Sequence, residues 1–349
     1  MNLRGQNTVS TRWTKILISL LLLLSLSFII GIFSDHLIPK HRSIKIGASY
    51  MTMNNEFYKI LNAEIEKFAQ EENYKLLVRD PELNEEKQAQ QIESFIEEGV
   101  SLIVLNPVKN KSQLVDKALK KAGKANVPVV VVDAPVETKE KIATTVMSDN
   151  YQAGRLLAQH LLKTRKNAQI LILEHKDAAS GRDRIQGFED GLKGKTNYRI
   201  VGRLETFGQT EIAMPQVEKA IDEVRRVRRF ASEVGPDRPD YRQISDEFDM
   251  IMSLNDRAAI GALAAIEDRK ASEKIGIYGV DGSPEFKHFL GENPHVLATA
   301  AQSPVKMGRQ TAKVMQKILD GEKVKDLYKI PVQLVTATNV QKVGKLEWQ

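Results

Sequence analysis

"IKIGASYMTMNNEFYKIL", Ile44–Leu61, is the stretch on which the reading of this chain turns. Its first seven residues form an apolar run with strand character. From Phe57 the apolar side chains recur at helical spacing, through Ile60, Leu61, Ile65 and Phe68, which places them on one face of a helix. Asn54, Asn55, Phe57 and Tyr58 stand where the strand gives way to that helix.

The same alternation continues outward. Strand-like runs follow at "YKLLVRD", "SLIVLNP", "VPVVVVD", "AQILILE", "YRIVGRL", "FDMIMSL", "KIGIYGVD" and "HVLATAAQ", with helical patterns between them. Strands with few polar positions, separated by helices, argue for parallel sheets covered on both faces. Two groups of such strands predict two doubly wound lobes, the first ending near Met147 and the second starting at the helix after "SDN". The segment Val224–Phe248 breaks the rhythm. It is long and charged, and reads as a solvated helix end with a surface loop or, alternatively, a docking surface for a partner protein.

The chain has 349 residues, enough for two domains of ordinary size, and its 42% hydrophobic and 28% charged residues are those of a globular protein. Of the net charge of +6, four units fall before residue 43, from Arg4, Arg12, Lys15, Lys40 and Arg42 against Asp35. The body is therefore close to neutral and carries no basic footprint for nucleic acid. With no cysteine, disulfides, thiolate metal sites, a cysteine nucleophile and a lipid-modified cysteine anchor are all excluded. The histidines match no metal-ligand spacing, and no cofactor is expected.

"ILISLLLLLSLSFIIGIF", Ile16–Phe33, contains serine as its only polar side chain. As a helix it would reach about 27 Å, close to the hydrocarbon thickness of a bilayer. It reads as an uncleaved transmembrane anchor or, alternatively, as a signal segment that is removed. Cations before the span set residues 1–15 in the cytoplasm and the body outside, beyond a linker at 34–43.

In doubly wound sheets a ligand lies beyond the carboxyl ends of the strands. Those ends carry Asn55, Phe57 and Tyr58, then Asn106, Asp133, Asn255, Asp281 and Gln302. No phosphate loop is among them. Amides and carboxylates suit hydroxyl groups, which both donate and accept, and flat rings such as Phe57, Tyr58 and Phe207 suit the C–H faces of a sugar. Other roles compete. Asn55, Asn255, Asp133 and Asp281 are also good caps, Phe57 and Tyr58 could be core, and Arg182 could pair with Asp183 or Asp190. Ser148, Asp149 and Asn150 read as a hinge exit and helix cap.

Taken in order, "TMNNEFY", "IVLNP", "VPVVVVDAP", "SDNYQAG", "SGRDRIQGFEDGL", "SLNDRAAIGALAAI", "YGVDGSPE", "AQSPVKMG" and "ILDGEKV" make the chain resemble the ribose-type periplasmic sugar-binding proteins, the type I solute-binding family of ABC importers. The resemblance implies lobes at 44–147 plus 303–330 and 148–302 plus 331–349, joined by hinge crossings near Met147, Ser303 and Pro331. It also implies sugar contacts at Asn55, Phe57, Tyr58, Asn106, Asp133, Arg182, Phe207, Asn255, Asp281 and Gln302. One position departs from the family: Ala134 stands where ribose binders carry an arginine.

The function expected is capture of a small sugar outside the cell for an ABC permease. The alternative is a subunit that presents sugar occupancy to a membrane sensor kinase. A repressor of the lactose type would need a DNA-binding headpiece where the apolar span stands. An enzyme would need a nucleophile–base pair or metal set, and none is visible.

Overall fold

Most helices in this chain begin where a short polar side chain can satisfy the first free backbone N–H groups, and the central strands run where both faces are covered. The computed structural model describes residues 18–21, 23–25, 44–234, 247–271, 274–345 and 347–348. From Ile44 the order is β1 (Lys45–Ser49), α1 (Glu56–Glu71), β2 (Lys75–Arg79), α2 (Glu85–Glu97), β3 (Leu102–Leu105), α3 (Gln113–Lys124), β4 (Val129–Val132) and β5 (Thr144–Ser148). Then come α4 (Asn150–Thr164), β6 (Ala168–Glu174), α5 (Ala179–Leu192), β7 (Tyr198–Glu205), α6 (Thr210–Val234), β8 (Met250–Ser253), α7 (Asp256–Asp268), β9 (Gly276–Asp281), α8 (Pro284–His288) and β10 (Val296–Ala301). The chain closes with α9 (Pro304–Leu319), β11 (Leu327–Ile330), β12 (Gln333–Thr336) and α10 (Val340–Val343). Asn55, Asn84, Ser112, Asp149, Asn255, Ser283 and Ser303 each accept a hydrogen bond at the start of a helix.

Two six-stranded sheets result, in the orders β11-β5-β4-β3-β1-β2 and β12-β10-β9-β8-β6-β7. Every pairing is parallel except that of β12 with β10. The chain thus passes from the first sheet to the second after β5, returns after β10, and leaves again between β11 and β12. These are two doubly wound α/β lobes. The residues of β3, β4 and β8 are all buried, which is why those stretches are continuously apolar.

Three strands escape a search for apolar runs. β11 and β12 lie at sheet edges and are partly exposed, so "LYKI" and "QLVT" need no continuous apolar pattern. β5, "TTVMS", has a polar start although it is buried between β4 and β11. The expected membrane span at Ile16–Phe33 lies largely outside the described residues. Those described within it, 18–21 and 23–25, are helical, with Ile18, Leu20, Leu21, Leu23 and Leu24 exposed. Among the described residues no helix is long and apolar enough to cross a membrane. Of the charged segment Val224–Phe248, the first part continues α6 and residues 235–246 lie outside the described set.

One helix crossing controls the second lobe. Where α4 meets α5, a Cβ added at Gly154 would stand 1.9 Å from the Arg184 carbonyl oxygen, and one at Gly187 would stand 2.0 Å from that of Tyr151. The backbones touch because neither residue has a side chain, and this brings the start of α4 against Arg184. Gly154→Ala must push the helices apart. Overpacking of this kind costs about 1–3 kcal/mol, so the variant is expected to unfold at lower temperature and lower denaturant. Equal midpoints for variant and parent would show that the crossing yields without cost.

Candidate functional site

The carboxyl ends of both sheets carry the polar residues, and several of them meet. In the first lobe Asp133 follows β4 with a positive φ of 65°, a backbone state few non-glycine residues adopt. It is buried and accepts a hydrogen bond from the Tyr58 hydroxyl at Oδ2 (3.0 Å). Burial pushes the Asp133 carboxyl upward, against the lowering influence of Arg184 and Tyr58. The Tyr58 hydroxyl is pushed well up, first by burial and then by the Asp133 charge.

In the second lobe Arg184 is the centre. Its guanidinium is buried, with Nε donating to Asn150 Oδ1 (2.9 Å) and one terminal nitrogen donating to the Leu254 carbonyl (2.8 Å). The same nitrogen reaches Asp281 Oδ1 at 3.3 Å. Gln302 Nε2 donates to that carboxylate oxygen as well (2.6 Å). Asp281 ends β9 with a φ of 130°. Its carboxyl is pushed up to about 6, chiefly by burial and also by the charge of Asp133, while Arg184 and Gln302 pull it down. Arg184 likewise acts electrostatically on Asp133 and Tyr58, so the two lobes' polar groups lie within one field.

Two buried atoms of this network have no protein partner: Asn150 Nδ2 at one end and Gln302 Oε1 at the other. A buried polar atom left unpaired is costly, so an amide donor and an amide acceptor held this way are suited to a ligand that can do both. Beneath them Asp256 is fully buried on Ser283 and Thr299, and its carboxyl is pushed well up by burial and then by Asp281. It supports the site from below.

The structure thus gathers Tyr58, Asp133, Asp281 and Gln302, and it adds Arg184 and Asn150. The arginine that joins these groups is Arg184; the expected Arg182, two residues earlier on the same helix, is not part of this buried network. Arg182 lies on the exposed side of α5, donating to the Lys176 carbonyl (2.6 Å) and lying 3.8 Å from Glu137 of the first lobe. A helix turns about 100° per residue, so two positions apart are on opposite faces. The buried set Gly181, Arg184, Ile185 and Phe188 marks the inward side, and an arginine amid that set was the available signal. Asn150 is not a cap, because Asp149 holds that role by accepting from the Gln152 N–H (3.2 Å).

The remaining expected residues are not joined to this network. Asn106 is fully buried, accepting from the Met51 N–H and donating to the Val132 carbonyl, both at 3.1 Å, so it braces the exit of β1 against β4. Asn55 caps α1, accepting from the Phe57 N–H (3.0 Å). Asn255 caps α7 and donates to the Gly208 carbonyl (3.0 Å). Phe57 is buried edge-on against Tyr58 (5.5 Å between centroids) and against Trp348 (5.7 Å). Phe207, with a φ of 52°, remains exposed and meets only His175 edge-on (5.3 Å) among the aromatic rings described. Among the described residues no cluster of His, Cys, Asp and Glu could hold a metal ion.

Comparison with known proteins bears on this arrangement. A family model described as the periplasmic binding protein domain matches residues 46–323. The chain is 28% identical over 297 residues to the ribose import binding protein of Bacillus subtilis, covering 84% of this chain and 88% of that protein. It is 24% identical over 286 residues to the Escherichia coli ribose import binding protein, covering 81% and 88%. An ABC transporter solute-binding protein from Mycobacterium smegmatis, solved with bound glycerol, superposes with a TM-score of 0.74 at 23% identity and covers 88% of this chain and 98% of its own. One from Bacillus halodurans, solved with bound myo-inositol, gives 0.74 at 19% identity and covers 86% and 97%. The structural matches establish a common fold.

The raised Asp281 carboxyl sets a pH dependence. The folded value exceeds the ordinary carboxylate value, so folding favours the protonated acid. That contribution is complete below about pH 4 and is lost as pH rises through about 6. The melting temperature of the parent, relative to Asp281→Asn, is expected to fall between those limits and then level off. A difference independent of pH would place the titration elsewhere.

Proposed function

The chain belongs to the periplasmic binding protein domain family, and we propose that it captures a small uncharged sugar or polyol between its lobes, outside the cytoplasm, for an ABC importer. The observation that carries this reading is the pair of buried amide atoms, Asn150 Nδ2 and Gln302 Oε1, at the two ends of the Arg184–Asp281 network. One donates and the other accepts, as a hydroxyl-bearing ligand requires. Asp133 and Asp281 would accept from neighbouring hydroxyls, and Arg184 would donate beside them. Tyr58, and Phe57 behind it, would supply the apolar wall of the first lobe, with Phe207 opposite. Asn55, Asn106 and Asn255 would act by fixing the strand exits on which these groups stand. A ligand that touches both lobes favours the closed state, with the three crossings between sheets as hinges. Ribose is not the ligand assigned. Ala134, buried beside Asp133, leaves out the arginine fork expected of a ribose binder.

A sensing role for the same fold is favoured by one feature, an apolar stretch at Ile16–Phe33 in a chain that has no cysteine for a lipid anchor. In that reading the occupied body reports to a membrane kinase.

Calorimetry of the purified body against neutral monosaccharides, polyols, amino acids and sugar phosphates tests the ligand class. A neutral sugar or polyol is expected to bind, and Asp281→Ala is expected to weaken it by roughly 30- to 150-fold, the equivalent of ~2–3 kcal/mol for an unpaired buried partner. Binding confined to amino acids or phosphorylated compounds would sink the proposal.

Attachment is tested separately. The full chain is expected in the membrane fraction of intact cells, with the body cut by external protease. Recovery as a soluble cytoplasmic protein would refute both the span and the extracytoplasmic placement.

A further inference from the structure

Beyond β12 the chain belongs to the second lobe, and it is fastened there. Lys287 on α8 is fully buried, and its ammonium donates to the carbonyls of Gly344 (2.6 Å) and Glu347 (2.5 Å). Lys345 pairs with Glu292, also of the second lobe. A buried ammonium is costly unless its donors are used, so this tail is a built part of the lobe. Its next residue does not stay there. The indole of Trp348 packs edge-on against Phe57, with ring centroids 5.7 Å apart and planes at 78°. Its Nε1–H donates to Glu56 Oε2 (3.1 Å). Glu56 and Phe57 open α1 in the first lobe, and Trp348 lies against that lobe's apolar cluster.

We propose that Trp348, carried by a tail fastened to the second lobe at Gly344, Lys345 and Glu347, clasps the first lobe to the second at Phe57. Hinge opening moves Glu56 and Phe57 away from the tail, so the Trp348 contacts must break first. The clasp therefore raises the closed population and, through Phe57, holds Tyr58 against Asp133. Trp348 acts here as a positioning residue. The proposal does not depend on which solute the site takes, because it concerns lobe separation without ligand.

The chain has no cysteine and only two tryptophans, Trp13 and Trp348, which makes the test direct. Spin labels on Lys117→Cys in the first lobe and Lys193→Cys in the second, both exposed positions, report interlobe distance in the full chain with no solute added. Trp348→Ala is expected to raise the long-distance population by about tenfold, the equivalent of ~1.4 kcal/mol for a lost edge-to-face pair and hydrogen bond. Trp348→Phe, which keeps a ring but loses the donor, is expected to fall between. An unchanged distance distribution in a folded Trp348→Ala variant would overturn the clasp. Should that variant not fold, Trp13→Phe leaves Trp348 as sole emitter in an otherwise intact chain. Its fluorescence is expected to be blue-shifted and shielded from acrylamide, and quenching like that of a free indole would also overturn the proposal.

Discussion

The Arg184 guanidinium joins the start of α4, the loop after β8 and the end of β9 through Asn150, the Leu254 carbonyl and Asp281. Three separate strand–helix junctions converge on one planar donor set, which a lysine could not reproduce because its ammonium lacks the fixed fork. Asp281 needs that cation. Its carboxylate is largely withdrawn from solvent, and the charges of Asp133 in the other lobe and of Asp256 act on it or with it. Arg184 acts on two of these carboxyl groups, Asp133 and Asp281, and Asp281 acts on Asp256; burial holds all three above their ordinary range. The position of Arg184 is in turn set by main-chain contact at Gly154 and Gly187. The chemistry of the cleft thus rests on the absence of two side chains a turn away from it.

The doubly wound architecture was legible because most strands lie inside sheets covered on both faces. "LIVL" and "VVVV" admit little else. The strands that were not legible, β11 and β12, are edge strands whose solvent-facing positions follow no apolar rule. In the site, Asp133, Asp281 and Gln302 could be read from their places after apolar runs, since the sheet itself delivers those residues to one end. Arg184 could not be separated from Arg182 by residue type. Only the phase of α5 divides them, and that phase depends on where the helix starts. Asp149 and Asn150 pose the same difficulty, as both are good caps and the backbone chooses the first. The asparagines show the converse. Asn55, Asn106 and Asn255 stand where a ligand contact was expected, yet the backbone engages the side-chain oxygen of each and the nitrogen of Asn106 and Asn255 as well.

The two walls of the cleft are built on different principles. On the first lobe's side the site is backed by aromatic rings, Tyr50, Tyr58 and Phe57 packed in series, with Asp133 on the Tyr58 hydroxyl. The wall in the second lobe is polar, with a cation, a carboxylate and two amides in one hydrogen-bonded line. Such a division suits a ligand with one apolar face and a rim of hydroxyls.

Asp133 and Asp281 share an unusual backbone, both with φ on the positive side of the map at the end of a central strand. Aspartate and asparagine tolerate such a conformation far better than longer or branched residues. At these two positions a carboxylate can become an amide with little backbone penalty, whereas extension to glutamate meets strain in addition to bulk. The easy substitutions therefore change charge and spare shape. Under the proposed function, such a change would retune which solutes the site accepts, from those that want a strong acceptor to those content with an amide, without rebuilding the loops. In that reading the geometry of the peptide chain, as much as the chemistry of the cleft, would set which ligand repertoires lie one mutation away.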